Sequence, residues 1–231
     1  MTSLLDTGVQ RVTAAGDAAL VAEFPARIDP AINERAAAFA GALRAKWEAI
    51  LRDVVIGYCT VTVYFDPLGV DGRWLEAEMR SMAGHIGEQE FESATVIDVP
   101  VCYDGDFAPD LADVAAFGKC TTEEVIALHA GRRYRVYLVG FIPGFAYMAE
   151  VDQQIAAPRR SSPRTAVPAG AVAIAAGQTG IYPAVTPGGW NIIGRTPLRP
   201  YDPARPEPFI FKPGDHVQFT RISRDEFNRR C

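Results

Sequence analysis

Residues 140–148 read GFIPGFAYM, residues 158–164 read PRRSSPR, and residues 167–197 read VPAGAVAIAAGQTGIYPAVTPGGWNIIGRTP. Gly and Pro recur every few residues, around short apolar runs such as AVAIA and NII. Glycine admits backbone at positive φ and close approach, whereas proline fixes φ and removes a donor. A flexible linker would not carry apolar runs that need burial, so this stretch predicts short strands joined by fixed corners. That is the texture of a small β-barrel whose corners form the wall of a binding site.

Outward from that block, YRVYLVGF (residues 134–141) reads as a strand, and FIFKPGDHVQF (209–219) as two strands around a Pro-Gly turn. Residues 223–230 read as a short terminal helix. Upstream, Thr121 and Glu124 form a capping box, with Gly131 at the other end of a short helix. Residues 111–117 read as another short helix, after a polar turn at 103–109. In the first half, Asp29-Pro30 is a helix start. Ile32, Ala36, Phe39, Leu43, Trp47 and Ile50 then follow at helical spacing, and Leu75, Met79, Met82 and Ile86 mark a second helix. Residues 19–24, VVIGYCTVTVYFD (54–66) and 94–101 read as strands. The expected order β-α-β-α-β gives a two-layer α/β domain over residues 1–100, followed by a barrel domain over 101–231, an α+β protein overall.

The chain has 231 residues, 48% apolar and 22% charged, ordinary proportions for a folded globular protein. No apolar run approaches membrane-helix length. The N-terminus lacks the basic and apolar segments of a signal peptide, so a cytoplasmic protein without membrane association is expected. Cys59, Cys102, Cys120 and Cys231 are scattered, and reduced thiols are expected.

The net charge of −5 is unevenly distributed. Residues 1–130 carry 9 basic and 21 acidic side chains, whereas residues 131–199 carry 8 basic, all arginine, and 2 acidic. A guanidinium grips carboxylate or phosphate through a planar fork. A small anionic ligand is therefore expected. The acidic remainder argues against nucleic acid.

Familiar catalytic signatures are absent. There is no GxxxxGK[ST] loop, no GxSxG elbow and no HExxH, and His85, His129 and His216 lack metal-ligand spacing, so no metal is expected. The turns QTG (178–180) and PGGW (187–190) can instead present donors to an oxyanion or carboxylate. Arg164 and Arg195, each beside a proline turn, are candidate anion ligands, although arginines there can equally brace loop carbonyls. His129 sits in the last turn of its helix, where the dipole favours a cation. It is either structural or a candidate catalytic group. Phe141, Phe145, Tyr147 and Trp190 read as barrel core or site floor.

YRVYLVGFIPGFAYM, APRRSSPRTAVPAGAVAIAAGQTGIYPAVTPGGWNIIGRTPL and KPGDHVQF resemble the signature of the allophanate hydrolase subunit 1 family. That family includes the B components of 5-oxoprolinases and a sporulation histidine-kinase inhibitor, and is similar to one half of the urea carboxylase carboxyltransferase domain. The chain departs from the family's pattern at Ala171 and Ala176, small-for-small exchanges that keep the turns. The resemblance implies a cyclophilin-like barrel after a small α/β domain. It also implies partners: a second carboxyltransferase-like barrel subunit and a third hydrolase component. The implied activity is ATP-dependent opening of 5-oxoproline to glutamate, with ATP belonging to the assembled complex and this chain inactive alone. Arg164, Gln178, Thr179, Tyr182 and Arg195 are then expected at the substrate. The alternatives are a kinase-inhibiting binding protein and a carboxyltransferase half of a urea carboxylase or allophanate hydrolase system.

Overall fold

The computed structural model describes residues 7–84 and 95–231, which form two compact units within Met1–Ser93 and Ala94–Cys231. The first unit runs β1 (Arg11–Ala14), β2 (Ala19–Glu23), α1 (Pro30–Trp47), β3 (Leu51–Ile56), β4 (Thr60–Phe65) and α2 (Gly72–Ala83). Its strands form one antiparallel sheet in the order β1-β2-β4-β3.

Helix α1 begins where the sequence reading put it. The Asp29 carboxylate accepts the Ala31 and Ile32 N–H groups, and Pro30 occupies the first turn. Ile32, Ala36, Phe39, Leu43 and Trp47 are buried together with the inward residues of the sheet, Val12, Leu20, Ala22, Val54, Val61, Val63 and Phe65. Phe39→Ala in this core is expected to cost about 3–5 kcal/mol, because the helix and sheet cannot close over the lost ring. Thermal or urea unfolding of the variant measures that loss. Ile50 lies beyond the helix end, and Ile86 is outside the described residues.

Three expectations change here. VVIGYCTVTVYFD is not one strand but parts of β3 and β4, turned at residues 57–59, with Gly57 N–H donating to Thr60 O. β1 is an additional strand, which four residues with one buried side chain do not announce. The segment read as the first domain's last strand, β5 (Val96–Val101), pairs parallel with a strand near the C-terminus and belongs to the second unit.

The second unit continues with α3 (Leu111–Gly118), α4 (Thr122–Ala130), β6 (Arg133–Val139), β7 (Ala146–Ala149), β8 (Arg164–Val167), β9 (Ala171–Ala175), β10 (Gln178–Ile181), β11 (Thr186–Gly188), β12 (Asn191–Arg195), β13 (His216–Arg221) and α5 (Arg224–Arg230). Seven strands form a sheet in the order β12-β9-β10-β7-β6-β13-β5. Cys102, just past β5, exchanges both backbone hydrogen bonds with Arg195 at the end of β12, at 2.8 and 2.9 Å. That bridge brings the two edges together into a nearly closed barrel. The FIF of FIFKPGDHVQF is not a strand of this sheet. Phe209 makes only an isolated antiparallel bridge to Tyr201, formed by Ile210 N–H donating to Pro200 O and Asp202 N–H donating to Pro208 O.

β9 shows how composition shapes the site. All five residues of AVAIA are buried, so both faces of the strand are covered. Val172 and Ile174 join the main core with Val99, Val136, Met148, Ile181 and Phe219. Ala171, Ala173 and Ala175 face the other way and pack with Phe145, Tyr182, Trp190 and Ile192. A row of methyl groups leaves room over the strand for large rings.

Candidate functional site

Those rings wall a cavity of about 680 Å³. Phe145 lies 4.7 Å from Tyr147, 5.1 Å from Tyr182 and 5.5 Å from Trp190, centroid to centroid, and meets the last two edge to face. Such pairs are favoured by the ring quadrupoles and hold one another's orientation. Gln178 adds an amide to the wall, and Arg159 and Pro163 form one lip. Pro187, Gly188 and Gly189 also line the cavity, with Gly189 beside Arg159 and Pro163. Two further lining residues, Phe141 and Ala176, hold positive φ of 68° and 51°. That conformation is costly for residues with a Cβ and gathers at functional margins.

Gly188 is dictated by this packing. A Cβ there would lie 2.4 Å from the Tyr182 hydroxyl and 2.8 Å from its ring. Gly188→Ala is therefore expected to displace Tyr182 and to destabilise the unit by about 1–3 kcal/mol, measured by urea denaturation.

Arg159 is the cation of this cavity. It is exposed, and among the described residues no carboxylate pairs with it. Its Nη2 lies 3.6 Å from where a Gly189 Cβ would sit. Burial raises the Tyr147 and Tyr182 hydroxyls above the usual tyrosine range, and the Arg159 charge offsets part of that rise. Both hydroxyls are therefore protonated donors at neutral pH. The lining contains no carboxylate, thiol, imidazole or amine. The cavity can hold a small planar anion with a polar edge, but the hydroxyls in its lining, those of Thr186, Tyr147 and Tyr182, have no base beside them in that lining to activate them.

The expected site residues fall in three places. Gln178 and Tyr182 line the aromatic cavity. Arg164 and Arg195 line a separate cleft of about 250 Å³ with Phe107, Pro109 and Ile192. Arg164 has no free fork there, because its Nη1 and Nη2 donate to Asp110 at 2.8 and 2.7 Å. Arg195 Nε donates to Ala169 O at 3.0 Å, and its guanidinium lies 5.5 Å from the Phe107 ring centre. Arg164 thus braces the protein's own carboxylate, and Arg195 braces a loop carbonyl, the alternative their sequence context left open.

His129 and Thr179 are in the core. The His129 ring is fully buried and stacked on Phe219 at 4.5 Å. Thr179 Oγ1 donates to Ala173 O at 3.1 Å, so it accepts from His129 Nε2 at 2.9 Å, and Nδ1 accepts from the Tyr103 hydroxyl at 2.9 Å. Burial lowers the imidazole pKa to about 3. The dipole argument for a cation here is overturned, because desolvation outweighs the sub-kcal to ~2 kcal/mol effect of a helix terminus. His129 is a neutral link in a buried chain of hydrogen bonds and does not reach the cavity.

Sequence reasoning passed over Arg159 among eight arginines. PRRSSPR alone does not separate them: Arg160 and Arg164 are taken by Asp110, from another part of the chain, whereas Arg159 lines the cavity.

Residues 10–211 match the family model described as carboxyltransferase domain, subdomain C and D. The chain is 35% identical over 223 residues to the B component of 5-oxoprolinase from Bacillus subtilis, covering 92% of this chain and 93% of that protein. Among solved structures it is similar to TTHA0988, with 38% identity and a TM-score of 0.78 over 89% of this chain but only 40% of that one. It also shares the fold of Kluyveromyces lactis urea carboxylase, with a TM-score of 0.77 at 17% identity, over 94% of this chain and 22% of that chain.

Proposed function

This chain belongs to the carboxyltransferase-domain family of subdomains C and D, and on that premise we propose that it is the B-type component of a cytoplasmic, multi-component, ATP-dependent 5-oxoprolinase. The observation that carries the reading is the aromatic cavity, which has an arginine at its lip and no carboxylate, thiol, imidazole or amine in its lining. Such a cavity is one side of a shared site. 5-Oxoproline is a small ring with one carboxylate and a polar lactam edge. Arg159 would take the carboxylate, the rings of Phe145 and Trp190 would flank the apolar carbons, and Gln178 with the Tyr182 hydroxyl would meet the lactam. The name of the Bacillus subtilis relative supports this substrate.

The reacting groups and the second wall come from the partners, a second carboxyltransferase-like barrel subunit and a third hydrolase component. ATP belongs to that assembly. The aromatic cavity carries one cation, and the open apolar groove of about 1060 Å³ on the same unit sets Lys212 beside Glu207 and Asp215. Neither matches the charge of a triphosphate, so no step is assigned to ATP on this chain.

The test is Arg159→Ala in the complex reconstituted with its partner subunits. Loss of a charge-assisted pair predicts a KM for 5-oxoproline raised about 10–100-fold. An unchanged KM would remove the cavity from the account.

A further inference from the structure

Asp110 is a buried carboxylate outside the cavity, and its side chain is 2% exposed. Its position before α3 is one where a carboxylate ordinarily caps the helix, yet it makes no such cap. Its Oδ1 instead accepts from Arg160 Nη1 and Arg164 Nη2, both at 2.7 Å. Its Oδ2 accepts from Arg164 Nη1 at 2.8 Å and from the Ile192 backbone N–H at 2.7 Å. Four N–H groups on one buried carboxylate make a geometrically stiff knot.

The knot ties down the segment that carries Arg159. Arg160 N–H donates to Gly189 O at 2.8 Å, and Asn191 Nδ2 donates to Pro158 O at 2.8 Å. The residues on either side of Arg159 are thus fastened to residues 189 and 191, of which Gly189 lines the cavity. Arg160 alone is fastened twice, by its backbone to Gly189 and by its guanidinium to Asp110. The Arg160 Nε is buried without a hydrogen-bond partner, so this side chain is held for the Asp110 contact and not for a fully satisfied surface position.

We propose that Asp110 is a positioning residue of the substrate cavity: through Arg160 it fixes the main chain that holds Arg159 in the cavity lining. It touches no substrate. The proposal rests on the reading of the cavity as the 5-oxoproline site, and the experiment separates the two.

Arg160→Gln leaves the Asp110–Arg164 pair and the Ile192 contact in place and cuts only the link to the Arg159 segment. In the reconstituted complex it is expected to raise the KM for 5-oxoproline about tenfold, with kcat within about twofold of the wild type. Arg160→Lys should restore most of the loss. The double variant Arg159→Ala, Arg160→Gln should be no worse than Arg159→Ala alone, because a positioning residue has nothing left to position. If Arg159→Ala raises KM but Arg160→Gln does not, or if the two effects add, the inference is overturned while the cavity reading stands. A parallel fall in kcat and thermal midpoint with KM unmoved also overturns it. No effect of Arg159→Ala overturns both.

Discussion

Asp110→Ala is expected to destabilise the second unit by roughly 3–5 kcal/mol, as much as emptying a core position. The substitution strands two guanidiniums, of which Arg160 and Arg164 are only 31% and 26% exposed, and leaves the Ile192 N–H without its acceptor. The cost is that of unpaired buried charge and an orphaned backbone donor, not the net value of the ion pairs. Removing all three charged side chains together should therefore cost less than removing Asp110 alone. Urea denaturation of the full chain, followed by a probe of the second unit, checks both statements. A loss below about 1 kcal/mol for Asp110→Ala would show that the arginines relax into water and that the knot is not stiff.

The second large effect is acid sensitivity from His129. Its folded pKa of about 3 lies below the usual value of 6.5 because burial disfavours the cation. The folded state therefore keeps a neutral ring while the unfolded chain takes up a proton below pH 6.5. Stability is full above pH 6.5 and falls as pH drops, by about tenfold in the folding equilibrium per pH unit, until the folded ring titrates near 3. Across the window from about pH 6.5 to about 4.5, Glu23, Asp29 and Glu124 add little, because their pKa values are held below the usual carboxylate range and they contribute their own losses at lower pH. His129→Gln, measured in parallel, separates this ring from the other two histidines. Asp215, whose carboxyl burial raises, acts in the opposite sense. Urea midpoints between about pH 7.5 and about 4.5 should fall steadily once the unfolded imidazole begins to titrate. A flat profile would mean that water reaches the ring and the hydrogen-bonded chain from Tyr103 to Ala173 is open.

Local chemistry in the chain announced much of this fold. Asp29-Pro30 and the Thr121–Glu124 box start their helices as expected, since a cap is decided within a few residues. The barrel texture of residues 140–197 was legible because corners and apolar runs are both local. Long-range pairing was not. β5 reads like any strand, and nothing near it says that its partner is β13, close to the other end of the chain. The hairpin of β3 and β4 was hidden because Tyr58 and Cys59 in its turn look like strand residues.

The candidate site was less legible for the same reason. The arginine cluster set the expectation of an anionic ligand, but which arginine is free of a carboxylate depends on Asp110, a residue from another part of the chain. Thr179 and Gln178 are neighbours in sequence, yet strand alternation sends one into the core and the other to the cavity. His129 was ambiguous because a helix end and a buried core make opposite demands on an imidazole. Burial of this ring on Phe219 decides it.

The central claim is that this chain supplies a required half of a shared 5-oxoproline site. ATP hydrolysis by the reconstituted components, measured with and without this chain and with and without 5-oxoproline, tests it most directly. The account predicts 5-oxoproline-dependent hydrolysis only when this chain is present, and none from this chain alone. Full 5-oxoproline-dependent hydrolysis from the mixture lacking it would contradict the account.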